Sequence, residues 1–321
     1  MATETPNRAV DPDIARFNAA LTQAWREHPP LDTLSLAEAR AVAEIVRAPL
    51  RRGGPVMART EDIRLTLAAA PMRLRIHYPS LAPSLPALIY LHGGGFTLFS
   101  IDTHDRLMRE YAAAGGFAVI GIDYPLSPEA KYPLALDGIV ALAGWLAGEG
   151  PALGIDPGRL AIGGDSAGGN LSVAACLRWR DQDGAMPVRG MLLNYGAFTG
   201  RCSDEAEAEL GGPDAVLCSA EMDWFYANYL ADPSGLDDPL ACPILADLHD
   251  LPPAMLAVAD RDLLAEQSFT MAEHFAAARV PCNTRIYPGA THSFLEAMAT
   301  APLAMQAIRD GAAWVAAHLA A

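Results

Sequence analysis

No apolar run in this chain reaches the roughly 18 residues that a membrane span requires. The longest candidate, residues 138–148, is bounded by Asp137 and Glu149 and reads as a core-facing helix. Residues 1–13 are polar and hold no apolar core of a secretory signal, so a cytoplasmic location is expected. Basic residues are the minority: 23 Lys and Arg stand against 38 Asp and Glu, a net charge of −15. Such a surface repels polyanions and argues against nucleic acid or an anionic membrane as a partner. Cysteine is scarce. The five cysteines, at positions 176, 202, 218, 242 and 282, form no Cys-x-x-Cys pair, which argues against a disulfide framework and against structural zinc. No repeat or low-complexity tract stands out.

What the chain does have is 51% hydrophobic residues over 321 positions, enough for one large core with an inserted cap. Residues 11–48 read as two helices. Ile14, Phe17, Leu21 and Trp25 recur at three- and four-residue steps, and Ser35 with Glu38 forms a capping-box pattern before Pro49. From residue 63 the pattern changes to short apolar strands. Runs 63–68 and 72–78 flank Ala69-Ala70-Pro71 as an expected hairpin. Further strands are expected at 87–91, 117–124, 160–163, 191–195, 255–259 and 284–287, with helical runs between them. Alternating strands and helices argue an α/β fold with a mostly parallel sheet covered on both faces. In such sheets the ligand crevice lies at the carboxyl ends of the strands. Residues 197–250 break the alternation. They carry a solvated acidic stretch at 204–209 and a helix face of Met222, Phe225, Tyr226, Tyr229 and Leu230. The expected organisation is therefore N-terminal cap helices over 1–55, a core of 56–196 plus 251–321, and an inserted cap over 197–250.

The chemistry concentrates in a few motifs. Gly164-Asp165-Ser166-Ala167-Gly168 follows an apolar strand and opens a helix, the setting of a nucleophile elbow. A serine hydroxyl is a weak nucleophile and needs a base, an acid to orient that base, and donors for the oxyanion. His92-Gly93-Gly94-Gly95-Phe96 directly follows a buried strand. Its glycines allow backbone N–H groups to turn inward, with Gly94 and Gly95 favoured as oxyanion donors and Gly93 shaping the turn. Ala167, just after the serine, supplies a further N–H at the start of a helix. His92 is read as pinning this loop, and His104 as organising its surroundings. His292, in Thr291-His292-Ser293 after the last expected strand, is the candidate base. By pattern alone either Asp260 or Asp262 can orient it, the other pairing with Arg261 or capping the next helix.

Together these residues resemble the hormone-sensitive-lipase-like family of α/β-hydrolases, and within it the bacterial acetyl esterases. The resemblance runs from about residue 78 to the C-terminus. It rests on the glycine loop and the elbow, and also on Asp102-Thr103-His104-Asp105-Arg106, Gly121-Ile122-Asp123-Tyr124, Leu126-Ser127-Pro128-Glu129-Ala130 and Tyr287-Pro288-Gly289. It implies an α/β-hydrolase fold of eight strands with a helical cap, and a catalytic set of Ser166, Asp262 and His292. Asp262-Leu263-Leu264 stands where the family has Asp-Pro-Leu, and this places the acid at Asp262 rather than Asp260. Glu266 falls where the family has a second acid. Asp123, Tyr124 and Glu129 are implied to brace the site without doing chemistry.

The expected function is a serine carboxylesterase for short acyl esters, acetyl to about hexanoyl. A small-molecule ester is the expected partner, without metal or organic cofactor. The exposed last strand allows a homodimer. Another acyl specificity on the same triad (lipase or deacylase) is the alternative. A non-catalytic receptor on this fold is disfavoured because such receptors lose the histidine that stands here as His292.

Overall fold

The computed structural model describes residues 9–183, 185–212 and 215–320; Gly184 and the first eight residues of the expected N-terminal segment lie outside them. One eight-stranded sheet organises the chain. Its strands are β1 (Arg59–Leu67), β2 (Ala70–Tyr78), β3 (Leu85–Leu91), β4 (Ala118–Asp123), β5 (Ile155–Asp165), β6 (Met191–Asn194), β7 (Ala254–Ala259) and β8 (Cys282–Tyr287). Their order across the sheet is β1-β2-β4-β3-β5-β6-β7-β8. Only β2 runs against its neighbours; all pairings from β4 to β8 are parallel. This is the α/β-hydrolase fold.

Each central strand is apolar on both faces, as a covered parallel sheet demands. In β3, Ala87, Ile89 and Leu91 enter one core while Leu88 and Tyr90 enter the other. In β7 the division is Ala254, Leu256 and Val258 against Met255, Ala257 and Ala259. The first core is closed by α4 (Leu134–Leu153), α5 (Ala167–Asp183) and α8 (Ala265–Ala277). The second is closed by α3 (Asp105–Gly115), α9 (Pro302–Ala320) and α1 (Pro12–Arg26), whose Ile14 is fully buried. Full burial of such an aliphatic side chain contributes about 1.5–3 kcal/mol.

Helix α2 (Leu36–Arg47) begins as the sequence predicts. Ser35 accepts the Glu38 N–H, and the Glu38 carboxylate accepts the Ser35 N–H. Among its described residues the segment 197–250 contributes no strand. It forms α6 (Asp204–Leu210), α7 (Ser219–Tyr229) and short 3-10 turns. The acidic stretch of α6 is exposed at Asp204, Glu205 and Glu209, in line with a solvated face. Among the described residues no helix is long and apolar enough to cross a membrane.

Two local expectations shift. The hairpin turns at Ala68 and Ala69, with φ of 48° and 64°, and not at residues 69–71. A two-residue hairpin favours positive φ because that twist matches the strands. Alanine adopts it here without the Gly or Asn that would have marked it. Pro71 instead lies within β2, beyond the stretch that β4 covers. Strand β5 also starts earlier than the expected 160. Ile155 pairs with Leu85 and Leu160 with Ala87, so the residues between bulge out of register.

Candidate active site

The chemistry-bearing residues gather at the carboxyl ends of β3, β5, β7 and β8. Strand β5 ends at Asp165, and Ser166 follows in a left-handed conformation, φ 52°, before α5 begins at Ala167. Such a φ is strained for a residue with a side chain. The surroundings hold it. Ser166 donates its N–H to Asn194 O at 3.0 Å, and its carbonyl accepts from Gly169 and Ala197. The flanking glycines are required by close approach: a Cβ on Gly164 would lie 2.1 Å from Leu91 O, and one on Gly168 would lie 1.9 Å from the same atom.

His292 Nε2 lies 3.1 Å from Ser166 Oγ, and its Nδ1 lies 2.7 Å from Asp262 Oδ2. The ring therefore donates Nδ1–H to the carboxylate and offers Nε2 to the serine hydroxyl. Asp262 is 2% exposed, whereas Ser166 and His292 are each 8% exposed, so the acid is the most deeply buried of the three. Asp262 Oδ1 also accepts the Leu264 N–H at 3.0 Å, which fixes the carboxylate plane. Burial pushes the His292 pKa down, but the Asp262 charge and hydrogen bond, with Asp165 and Glu296 behind them, move it above the ordinary histidine value.

The two aspartates left open by pattern divide cleanly. Asp260 neither pairs with Arg261 nor caps α8. It accepts the Gly289 N–H at 2.7 Å and so anchors the loop that carries His292, while Arg261 reaches Glu209. Glu266 is also structural: it accepts Ser203 N–H and Oγ–H at 2.9 and 2.6 Å, tying α8 to the start of α6.

The glycine loop packs directly on the elbow. A Cβ on Gly93 would fall 2.4 Å from Asp165 Oδ2. Gly94 and Gly95 have φ of 106° and 58°. Among the described residues no backbone carbonyl takes the N–H of either. Ala167, as the first residue of α5, has no carbonyl one turn back to bond. His92 pins the loop as expected: its Nδ1 lies 2.7 Å from Gly93 O and its ring stacks on Tyr124 at 4.4 Å. Burial, aided by the charge of His104, pushes its pKa down to about 4, so the ring is neutral near pH 7. Tyr124 donates to His92 O at 2.8 Å, and Asp123 accepts the Ile101 N–H at 2.6 Å. Glu129 takes a two-pronged bond from Arg40, which also donates to Thr97 O and Ser127 O.

Several further side chains shape the site. Asp165 accepts the Tyr90 hydroxyl at 2.8 Å and lies 3.3 Å from His104 Nε2, so the residue before the serine is held from the end of β3 and from the start of α3. Tyr195, at the end of β6, sets its ring edge-on to His292 at 5.2 Å. Its position after a strand adjoining β5 was the available signal. Asn170 in α5 donates to Ala197 O and Ala241 O and ties segment 197–250 to the elbow helix. Phe225 of α7 rests on Gly95, where a Cβ would meet its ring at 2.0 Å. Among the described residues no group of His, Cys, Asp and Glu is placed to hold a metal ion.

Residues 88–296 match the family model described as alpha/beta hydrolase fold. A hyperthermophilic esterase from the archaeon Pyrobaculum calidifontis is 31% identical, with 98% of this chain and 100% of that chain covered and a TM-score of 0.89. The chain belongs to the hormone-sensitive-lipase-like family of α/β-hydrolases. The thermophilic carboxylesterase EstE1, from a metagenomic library, is 31% identical over 89% of this hydrolase and 98% of its own chain, TM-score 0.85. A thermostable esterase from Pseudomonas putida ECU1011 is 27% identical over 99% of both chains, TM-score 0.88.

Proposed function

We propose that this carboxylic ester hydrolase cleaves short acyl esters, from acetyl to about hexanoyl, through an acyl-enzyme on Ser166. The observation that carries the reading is the unbroken chain from Asp262 through His292 to Ser166, at 2.7 and 3.1 Å. Ser166 Oγ attacks the ester carbonyl while His292 Nε2 takes its proton. Asp262 holds the tautomer and stabilises the imidazolium. The oxyanion forms within reach of the Gly94, Gly95 and Ala167 N–H groups, each such donor contributing about 3 kcal/mol in comparable sites. The ring then gives the proton to the leaving alcohol as the C–O bond breaks. Water, deprotonated by His292, attacks the acyl-enzyme, and the proton returns to Ser166 as the carboxylic acid leaves.

In this reading the described parts of residues 1–55 and 197–250 form the cap over the core of 56–196 and 251–321. The short-acyl preference is supported by α7. Phe225 lies on the donor loop, and Trp224 packs edge-on against it at 5.2 Å. In this reading the two rings limit the length of acyl chain that the site takes. Tyr226 takes no part: it is buried and donates to Ala197 O at 3.2 Å. A series of p-nitrophenyl esters from acetate to dodecanoate tests the preference. kcat/KM is expected to peak at or below hexanoate. A maximum at decanoate or dodecanoate would replace the short-acyl reading with a lipase-like one.

A further inference from the structure

Helix α2 ends by sending a charge into the interior. Arg47, its last residue, is 4% exposed, and its Nε lies 3.0 Å from Glu296 Oε1. Glu296, itself 7% exposed, belongs to the 3-10 turn Phe294–Ala299 that follows His292, and its N–H donates to Ser293 O. On its other side the Arg47 guanidinium lies over the Phe99 ring at 3.9 Å. Phe99 closes the glycine loop, since a Cβ on Gly94 would fall 2.7 Å from its ring. The Trp25 ring of α1 is 5.6 Å away. One buried cation thus touches both the loop that carries the base and the loop that carries the oxyanion donors.

Desolvating two charges roughly cancels their attraction, so a buried pair is a poor source of stability and a good source of registry. Here the desolvation is incompletely repaid: among the described residues, Arg47 Nη1 and Glu296 Oε2 are both buried without a hydrogen-bond partner. We propose that Arg47 and Glu296 are positioning residues for the reaction, locking the His292 loop against the donor loop and presenting a carboxylate to the imidazole. The proposal rests on the Ser166–His292 mechanism above.

The charged groups around His292 are Asp262 on its Nδ1, Asp165 from the elbow, Glu296 from the following turn and Glu221 from α7. Glu296 favours the imidazolium that forms when the ring takes the serine proton. Glu296→Gln keeps the shape, removes that anion and leaves Arg47 unopposed. The acid limb of kcat/KM is expected to move to lower pH by about half to one unit, with plateau kcat down about tenfold from the loosened loop. Arg47→Lys keeps both charges but cannot reproduce the planar stack on Phe99 or the Nε–H bond to Glu296, so kcat falls while the midpoint stays with the wild type. If Glu296→Gln does not fold, the double variant Arg47→Gln/Glu296→Gln leaves neither charge alone. Its midpoint is still expected to fall, because the lost anion is on the histidine's own loop. A wild-type midpoint in the variant without Glu296, or an Arg47→Lys midpoint displaced as far, overturns the proposal. Ser166→Ala is run alongside. Activity in that variant would reject the acyl-enzyme reading itself, whereas its inactivity with an unmoved midpoint rejects only the role of the pair.

Discussion

Asp260 and Asp262 project from the same loop and hold different parts of one neighbour: Asp260 accepts the Gly289 N–H at 2.7 Å, and Asp262 accepts His292 Nδ1–H at 2.7 Å. The first fixes the backbone of the histidine loop and the second fixes the ring. Their substitutions therefore separate. Asp262→Asn forces the wrong tautomer and is expected to lower kcat about a thousand- to ten-thousand-fold. Asp260→Asn loses one backbone anchor and is expected to lower it by about tenfold or less. Steady-state kinetics on p-nitrophenyl butyrate distinguish the two, and a larger loss at Asp260 would reverse the assignment.

Gly95 cannot accept a side chain. Its φ is 58°, and a Cβ would stand 2.0 Å from the Phe225 ring. Gly95→Ala displaces either the donor N–H or α7, and a fall in kcat of about a hundredfold or more is expected. The double variant Gly95→Ala/Phe225→Ala removes the clash but keeps the backbone strain, so partial recovery of kcat is expected. Recovery to the wild-type rate would show that Gly95 serves packing alone.

Activity should depend on pH through His292, which accepts the serine proton only when neutral. Burial pushes its pKa down, but the Asp262 charge and hydrogen bond, together with Asp165 and Glu296, hold it above the ordinary 6.5. kcat/KM is therefore expected to rise with pH along an acid limb whose midpoint lies above that value. A pH-stat assay on a soluble short ester measures it directly. A midpoint below 6.5 would mean that burial, and not the Asp262 charge, governs the ring.

Much of the site was readable because its signatures are contiguous. The elbow, the glycine loop and the strand–loop setting of His292 each fit within a few residues, and the strands of the central sheet are apolar on both faces. What could not be read depends on contacts between distant parts of the chain. Nothing near Arg47 announces a bond to Glu296, 249 positions away. Asp260 and Asp262 are equivalent by pattern; the family resemblance favours Asp262, and the path of the loop brings that residue to the ring while it turns Asp260 to the Gly289 N–H. The Ala68–Ala69 turn hid for another reason: its backbone is held by the pairing of β1 with β2, without the residue types that favour such a turn.

The most direct test of the mechanism is covalent labelling with an alkyl fluorophosphonate, whose phosphorus is attacked by an activated serine as fluoride leaves. One label per chain is expected, mapped by peptide mass spectrometry to Ser166, with esterase activity lost in proportion and both label and activity absent from Ser166→Ala. Label on another residue, or ester hydrolysis retained by Ser166→Ala, would contradict it.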